Sequence, residues 1–206
     1  MIKNRSDAGN KLAEKLTDIV KGEESIVLAI PRGGVVVGKE ISKKLICPLD
    51  VIISKKITPQ SFPEYAIGAI TYDGTIYRSE HWDRFSQVSK FEDEKNKKKL
   101  EVKRKLEKYR GNSDYEFGNK TIILVDDGIA TGSTVFVLLK WLSKHNVKRI
   151  ILAVPVIPAT TYEEMKPLVD NLVALEIPTE FSAVGQFYEE FDQVSDNEVI
   201  KILGYR

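Results

Sequence analysis

TIILVDDGIATGST, residues 121–134, joins three kinds of chemistry in one segment. Ile122, Ile123, Leu124 and Val125 make a short, β-branched apolar run, the mark of a strand buried on both faces as in a parallel sheet. The carboxyl end of such a strand is where open α/β sheets receive ligands. Two carboxylates, Asp126 and Asp127, stand there side by side. Gly128 and Gly132 then let the backbone turn with its amides facing inward, and Thr131, Ser133 and Thr134 bring hydroxyls to the start of a helix over 135–145. A turn of this kind suits a phosphate dianion. Adjacent carboxylates repel phosphate, so they must accept hydrogen bonds from sugar hydroxyls or hold a divalent cation. Phosphate, polyol and metal are therefore expected within one ligand. The chain has no GxxxxGK[ST], which disfavours a P-loop nucleotidase.

The length of 206 residues suits one α/β domain carrying a small accessory element. With 42% hydrophobic residues, 30% charged residues and a net charge of +1, nothing favours acidic membranes or nucleic acid as partners. Cys47 is the one cysteine, so no intramolecular disulfide can form, and its neighbours Ile46 and Pro48 point to a core thiol. The opening MIKNRSDAGNKL lacks an apolar signal core, and no apolar run approaches the roughly 18 to 20 residues of a membrane span. A cytoplasmic location is expected. His81 and His145 have no partners at zinc-ligand spacing, and His145 reads as a helix-end cap.

Outward from the central segment, Ala8, Leu12, Leu16 and Ile19 predict a helix over 7–20, capped by Ser6 or Asp7. Residues 26–30 predict a strand, 36–45 a helix, and 49–53 a second core strand that ends in Lys55 and Lys56. This βαβ spacing predicts parallel strands. Residues 65–70 and 75–77 flank Asp73-Gly74 as a hairpin. Residues 89–110 hold ten basic and five acidic residues with a thin stripe of Phe91, Leu100, Leu106 and Tyr109, which predicts a long exposed helix. A buried strand over 150–156, a helix over 160–168 and a strand over 171–176 follow. The tail is aromatic and acidic. Before all of these, the turn Pro31-Arg32-Gly33-Gly34 offers consecutive amides and a planar guanidinium, a second place for phosphate oxygens.

The ten residues 125–134 resemble, without a gap, the DD-x-x-x-TG-x-T loop of type I phosphoribosyltransferases. The likeness extends to a less characterised branch of that family through RSDAG near residue 5, IPRGGVVVGKEI, LDVIISKKI, PEYAIGAI, AVPVIP and the tail AVGQFYEEFDQVSDNEV. It implies an α/β fold: a parallel-sheet phosphoribosyltransferase-like core flanked by helices, with a mobile insertion over about 58–118 and a small C-terminal hood over about 178–206. The implied ligand is 5-phosphoribosyl-1-pyrophosphate (PRPP). Its ribose would meet Asp126 and Asp127, which would also hold Mg²⁺ directly or through water. Its 5-phosphate would lie on Gly128, Ile129, Ala130, Thr131, Gly132, Ser133 and Thr134. Its pyrophosphate would lie on Arg32, Gly33 and Gly34, with Lys55 or Lys56 completing that site, and a non-proline cis peptide is implied near Arg32-Gly33.

The implied reaction moves ribose 5-phosphate to a nitrogen nucleophile, a nucleobase foremost, with Phe187 or Tyr188 stacking on the acceptor ring. Where purine enzymes of the family often carry a lysine after the strand that follows the signature helix, this chain has PVIP, which weighs against a 6-oxopurine. The acidic residues Glu189, Glu190 and Asp192 could face exocyclic amines or water. The resemblance also suggests a homodimer. The alternative is a PRPP-sensing module that binds RNA or protein without turnover.

Overall fold

The computed structural model describes residues 1–59, 66–85 and 91–204. Tyr65, at the start of the expected hairpin, and residues 89–90, at the start of the charged helix, lie outside the described residues. In chain order the first elements are α1 (Arg5–Ile19), β1 (Ser25–Ala29), α2 (Gly33–Leu45), β2 (Leu49–Val51), β3 (Lys55–Ile57), β4 (Gly68–Ile70) and β5 (Ile76–Arg78). Then come α3 (Trp82–Phe85), α4 (Phe91–Arg110), β6 (Thr121–Val125), α5 (Ser133–Leu142), β7 (Arg149–Val156), α6 (Ala159–Met165), β8 (Asn171–Glu176) and α7 (Asp196–Leu203). Single 3₁₀ turns span Lys166–Leu168 and Val184–Phe187. Packing divides the chain into two compact units, one of Met1–Ile52, Tyr115–Thr131 and Asn146–Arg206, the other of Ile53–Asp114 and Gly132–His145. Among the described residues no helix is long and apolar enough to cross a membrane.

The first unit is built on a five-stranded, wholly parallel sheet in the order β2-β1-β6-β7-β8. Every residue of β6 is buried, as its unbroken apolar run requires of a strand covered on both faces. Leu12, Leu16, Val37 and Ile41 from the helices close on Val27, Ile123, Val125 and Ile151 from the sheet. The cap of α1 is Asn4, not Ser6 or Asp7: its side chain accepts from the Asp7 amide at 3.0 Å. Asp7 instead turns back to the Lys3 amide, and Lys11 holds its carboxyl below the usual range. Cys47 is half-buried against the core, and burial pushes its thiol up, away from a nucleophile's range.

β1 pairs with β6 from Ser25↔Thr121 to Ala29↔Val125, so the two strands end level. The Ile30 amide still donates to the Val125 carbonyl at 2.8 Å. Pro31-Arg32 and Asp126-Asp127 therefore leave the sheet side by side. The helix after β1 starts at Gly33, three residues before its expected start, because the two glycines themselves take helical geometry.

In the second unit β3, β4 and β5 form an antiparallel sheet. The expected hairpin is present as β4 and β5, and the Asp73 carboxylate braces its turn by accepting from Thr71 Oγ1 at 2.5 Å and the Thr75 amide at 2.9 Å. Lys55 and Lys56 are not the end of the second core strand. That strand stops at Val51, and the lysines open β3, whose partner is β4. The helix α5 is apolar on nearly every face and buried accordingly. Within this unit Phe136 stacks on Tyr77 at 4.9 Å, and Trp141 meets the edge of Tyr72 at 5.9 Å. His145, one turn beyond the helix, has Nδ1 at 2.9 Å from the Trp141 carbonyl, the end-of-helix contact expected of it.

The buried stripe of α4 is Val102, Leu106 and Tyr109, whereas Leu100, expected in it, is 56% exposed. Positions 102, 106 and 109 follow helical spacing and Leu100 breaks it. Leu106→Ala is accordingly expected to destabilise the second unit by about 2–5 kcal/mol through the cavity it leaves. Leu100→Ala is expected to stay within about 0.5 kcal/mol. Urea unfolding of the two variants reads the difference.

Candidate functional site

The Asp126-Asp127 pair lies where β6 leaves the sheet, and everything around it in the first unit is arranged about the second carboxylate. Arg5, the first residue of α1, donates from Nε to Asp127 Oδ2 at 2.6 Å, with side chains only 11% and 18% exposed. Its Nη1 donates to the Asp192 carbonyl at 2.7 Å, and its guanidinium lies 3.9 Å over the centroid of Phe191. The Tyr188 hydroxyl donates to the Asp127 carbonyl at 2.7 Å. The Asp127 amide donates to Asp126 Oδ1 at 2.8 Å, which fixes the first carboxylate against the backbone of the second.

The PRGG turn is pressed against this group. A Cβ on Gly33 would fall 1.8 Å from Asp127 Oδ2 and 2.6 Å from Arg5 Nε, so only glycine can stand there without separating the pair. A Cβ on Gly34 would lie 3.0 Å from the Asp126 Cα. The non-proline cis peptide is present, but at Pro31-Arg32, one bond before its expected place. Arg32 is 44% exposed in its side chain and reaches Asp196 at the start of α7 at 3.7 Å. Helix starts leave amides without intrahelical partners, and the first turn of α2 supplies them beside the carboxylates.

Beyond Asp127 the turn is tight for a steric reason: a Cβ on Gly128 would come within 2.3 Å of Val184 and 2.9 Å of Val156. Ile129 is structural in both its parts, with a side chain 2% exposed and an amide that donates to the Val156 carbonyl at 2.9 Å. Its amide is thus spent on the sheet, whereas the sequence placed it on phosphate. Ala130 and Thr131 are exposed, and Thr161 Oγ1 donates to the Ala130 carbonyl at 3.3 Å. The chain then passes into the second unit, where Gly132 caps α5 with φ 72, a left-handed geometry that favours glycine. Ser133 is buried and Thr134 half-buried in the first turn of that helix.

The remaining expected site residues fall as follows. Tyr188 is 5% exposed with its hydroxyl engaged, which makes it a support under Asp127 and not an open stacking face. Phe187 is half-buried and stacks on Phe181 at 5.8 Å. In the second unit Lys55 pairs with Glu101 of α4 at 3.6 Å, and Lys56 is exposed. Arg5, Phe191 and the Asp192 carbonyl were given no role from the sequence. RSDAG is one of the stretches that carry the family resemblance, but a partner more than a hundred residues away leaves no local sign in it.

Electrostatics follows from the crowding. Burial first, and then the charge of Asp127, push the Asp126 carboxyl well above the usual carboxylate range. Burial likewise raises Tyr188, whose phenol stays protonated as a donor must. Among the described residues no three His, Cys, Asp or Glu side chains gather as a metal cage. With Asp127 already on Arg5, the donor set fits a cation that brings most of its ligands along, as Mg²⁺ does on one or two carboxylates plus substrate phosphates and water.

The "Phosphoribosyl transferase domain" family matches residues 1–191. A Mycobacterium tuberculosis H37Rv protein named "Putative phosphoribosyl transferase Rv0571c" is 35% identical over 207 residues, covering 97% of this chain and 46% of its own. The chain thus spans about half the length of the curated relatives it matches. The crystal structure of TT1426 from Thermus thermophilus superposes with a TM-score of 0.81 at 33% identity, over 98% of this chain and 97% of that one. A Staphylococcus aureus hypoxanthine phosphoribosyltransferase has a TM-score of 0.50 at 11% identity, over 86% of this chain and 74% of that one, a likeness of fold alone.

The raised Asp126 carboxyl has a consequence for stability with a definite sign. Such a group holds its proton more firmly folded than unfolded, so stability falls as pH rises above the ordinary value of 3.8 toward the folded one. Asp126→Asn keeps an oxygen for the Asp127 amide and removes the charge. At pH 7 the variant is expected to be more stable than the wild type. The gain should vanish below about pH 4, and urea melts across that range measure it.

Proposed function

The chain belongs to the phosphoribosyl transferase domain family, and on that premise we propose that it transfers ribose 5-phosphate from PRPP to a nitrogen nucleophile, releasing pyrophosphate. The observation that carries this reading is the interlocking of two strand-end turns: the PRGG turn after β1 and the carboxylate pair after β6 touch at Gly33 and Asp127. The proposed anion and polyol sites would thereby lie side by side at one end of the sheet, as a pentose phosphorylated at two positions requires.

In this proposal the ribose hydroxyls donate to Asp126 and Asp127, and the pyrophosphate lies on Arg32 and the amides that begin α2. The 5-phosphate lies on the turn 128–134, with the Ile129 amide left out because the sheet already uses it. Lys55 and Lys56, expected at the pyrophosphate as the end of the second core strand, open β3 instead and are given no role in this proposal. The bond from the anomeric carbon to pyrophosphate oxygen breaks with its electron pair on the oxygen. The carbon becomes oxocarbenium-like, and the acceptor nitrogen forms the new bond and gives up a proton. Carboxylates close to the ring favour that developing positive charge, and Arg32 with the α2 amides favours the departing negative charge. Mg²⁺, held by Asp126 or Asp127 together with the substrate, would neutralise the pyrophosphate further.

For the acceptor, a planar nucleobase is proposed, with Phe187 the more accessible of the two expected stacking rings. The strand end at Val156, Ile157 and Pro158 carries no lysine, and Val156 and Ile157 are buried, so a 6-oxopurine is not favoured. A screen of nucleobases and small amines with PRPP and Mg²⁺, reading pyrophosphate release, should find acceptor-dependent turnover. PRPP binding without any such release would favour a sensing module instead.

Arg32→Ala should weaken PRPP binding about tenfold or more by calorimetry, since hydrogen bonds to charged groups contribute about 1.5–3 kcal/mol. Its side chain is half-exposed and its one ion pair is long, so the thermal midpoint should barely move. Unchanged affinity would remove the PRGG turn from the anion site.

A further inference from the structure

The guanidinium of Arg5 serves two distant parts of the chain at once. Nε is on the Asp127 carboxylate at 2.6 Å, Nη1 is on the Asp192 carbonyl at 2.7 Å, and the plane rests on Phe191. Its starting point is fixed too. The Ile2 amide donates to the Phe187 carbonyl at 3.0 Å, and the Glu189 and Glu190 amides donate to the Ile2 and Lys3 carbonyls at 2.9 Å. Asn4 caps α1 and reaches Glu190 at 3.1 Å. The backbone is thus laced to the N-terminal residues as far as Glu190, and beyond it Phe191 and Asp192, both exposed, are met by Arg5.

We propose that Arg5 is a positioning residue that couples Asp127 to the C-terminal segment 191–192, so that a sugar engaged at Asp127 and the placement of Phe191 and the Asp192 carbonyl are set by one side chain. A guanidinium is a rigid fork, so Nε and Nη1 cannot be re-aimed separately. A carboxylate has lone pairs to spare, so Asp127 can accept from a sugar hydroxyl while keeping Arg5. Any shift of Asp127 toward the sugar is then passed to Asp192 and Phe191. Gly33 makes this possible by leaving the space in which the pair sits. The identity of the sugar ligand rests on the function proposed above; the contacts of Arg5 do not.

Amide hydrogen exchange on the full chain, with and without PRPP and Mg²⁺, tests the coupling. Arg5→Lys keeps a positive charge for Asp127 but offers a point donor that cannot span both partners. In the ligand-free variant the amides of Glu189 and Glu190, the bonded amides next to the freed segment, should exchange about tenfold faster than in the wild type, the loss expected for one charge-assisted hydrogen bond. Wild-type protein should slow these amides on adding PRPP, and the variant should bind PRPP without slowing them. Equal exchange in the two ligand-free proteins, or the same PRPP response in both, would overturn the proposal. Should the wild type bind no PRPP, the ligand assignment fails, and the ligand-free comparison still decides the role of Arg5. Phe191→Leu supplies a second variant should Arg5→Lys fail to fold: it removes the stacked ring without touching a carboxylate. It should weaken PRPP binding about two- to fivefold, and unchanged affinity counts against the coupling.

Discussion

Two carboxylates next to each other at the end of a buried strand repel, and they cannot both be charged there without a counter-ion. Arg5 is that counter-ion, held 2.6 Å from Asp127. Removing one member of so enclosed a pair costs about 3–5 kcal/mol, because the other is left buried and alone. The surrounding structure answers to this requirement. Asn4 starts the helix that carries Arg5, Gly33 gives up a side chain to make room, and Tyr188 holds the Asp127 carbonyl from below. Asp126 makes no ion pair among the described residues, and burial together with the charge of Asp127 pushes its carboxyl up. One carboxylate is paired with a guanidinium and its neighbour holds its proton more firmly than usual, a combination common where a ligand binds.

Much of the fold is legible in the chain itself. The run Ile122–Val125 announces a strand covered on both faces, and the β1–α2–β2 spacing announces parallel neighbours, because both signals are local and periodic. The two turns at the ends of β1 and β6 are legible for the same reason: glycines after an apolar run have few other uses. Local signals also misled. Leu49 to Ile53 continues the strand pattern of β2, yet Ile52 and Ile53 lie outside any strand and Lys55 begins a different sheet, since pairing partners and not propensity set where a strand stops. The apolar stripe of α4 runs through Val102, two positions beyond Leu100, because a helix with so few apolar residues leaves its phase poorly determined.

The supports of the site were the least legible part. Arg5 lies 122 residues from Asp127 and 187 from Asp192, and its contacts depend on a register between the two ends of the chain that no window of sequence contains. Tyr188 illustrates the same limit from the other side. An aromatic residue in a polar tail suggests a ring open to a ligand, but the backbone pairing of residues 2–3 with 187–190 turns it inward onto Ile2 and Ala8. Composition gives the residue types available to a site; long-range pairing decides which of them reach it.

The lacing of residues 2–5 to residues 187–192 bears on how the protein is made. A ribosome delivers Arg5 before Asp127, and Tyr188, Phe191 and Asp192 after both. Throughout that interval Asp127 and Arg5 have each other but lack the later residues that brace them. The supports of the carboxylate pair are therefore complete only once residue 192 has been made, and a chain cut short before residue 187 would lack the Tyr188 hydroxyl, the Phe191 ring and the Asp192 carbonyl that hold Asp127 and Arg5.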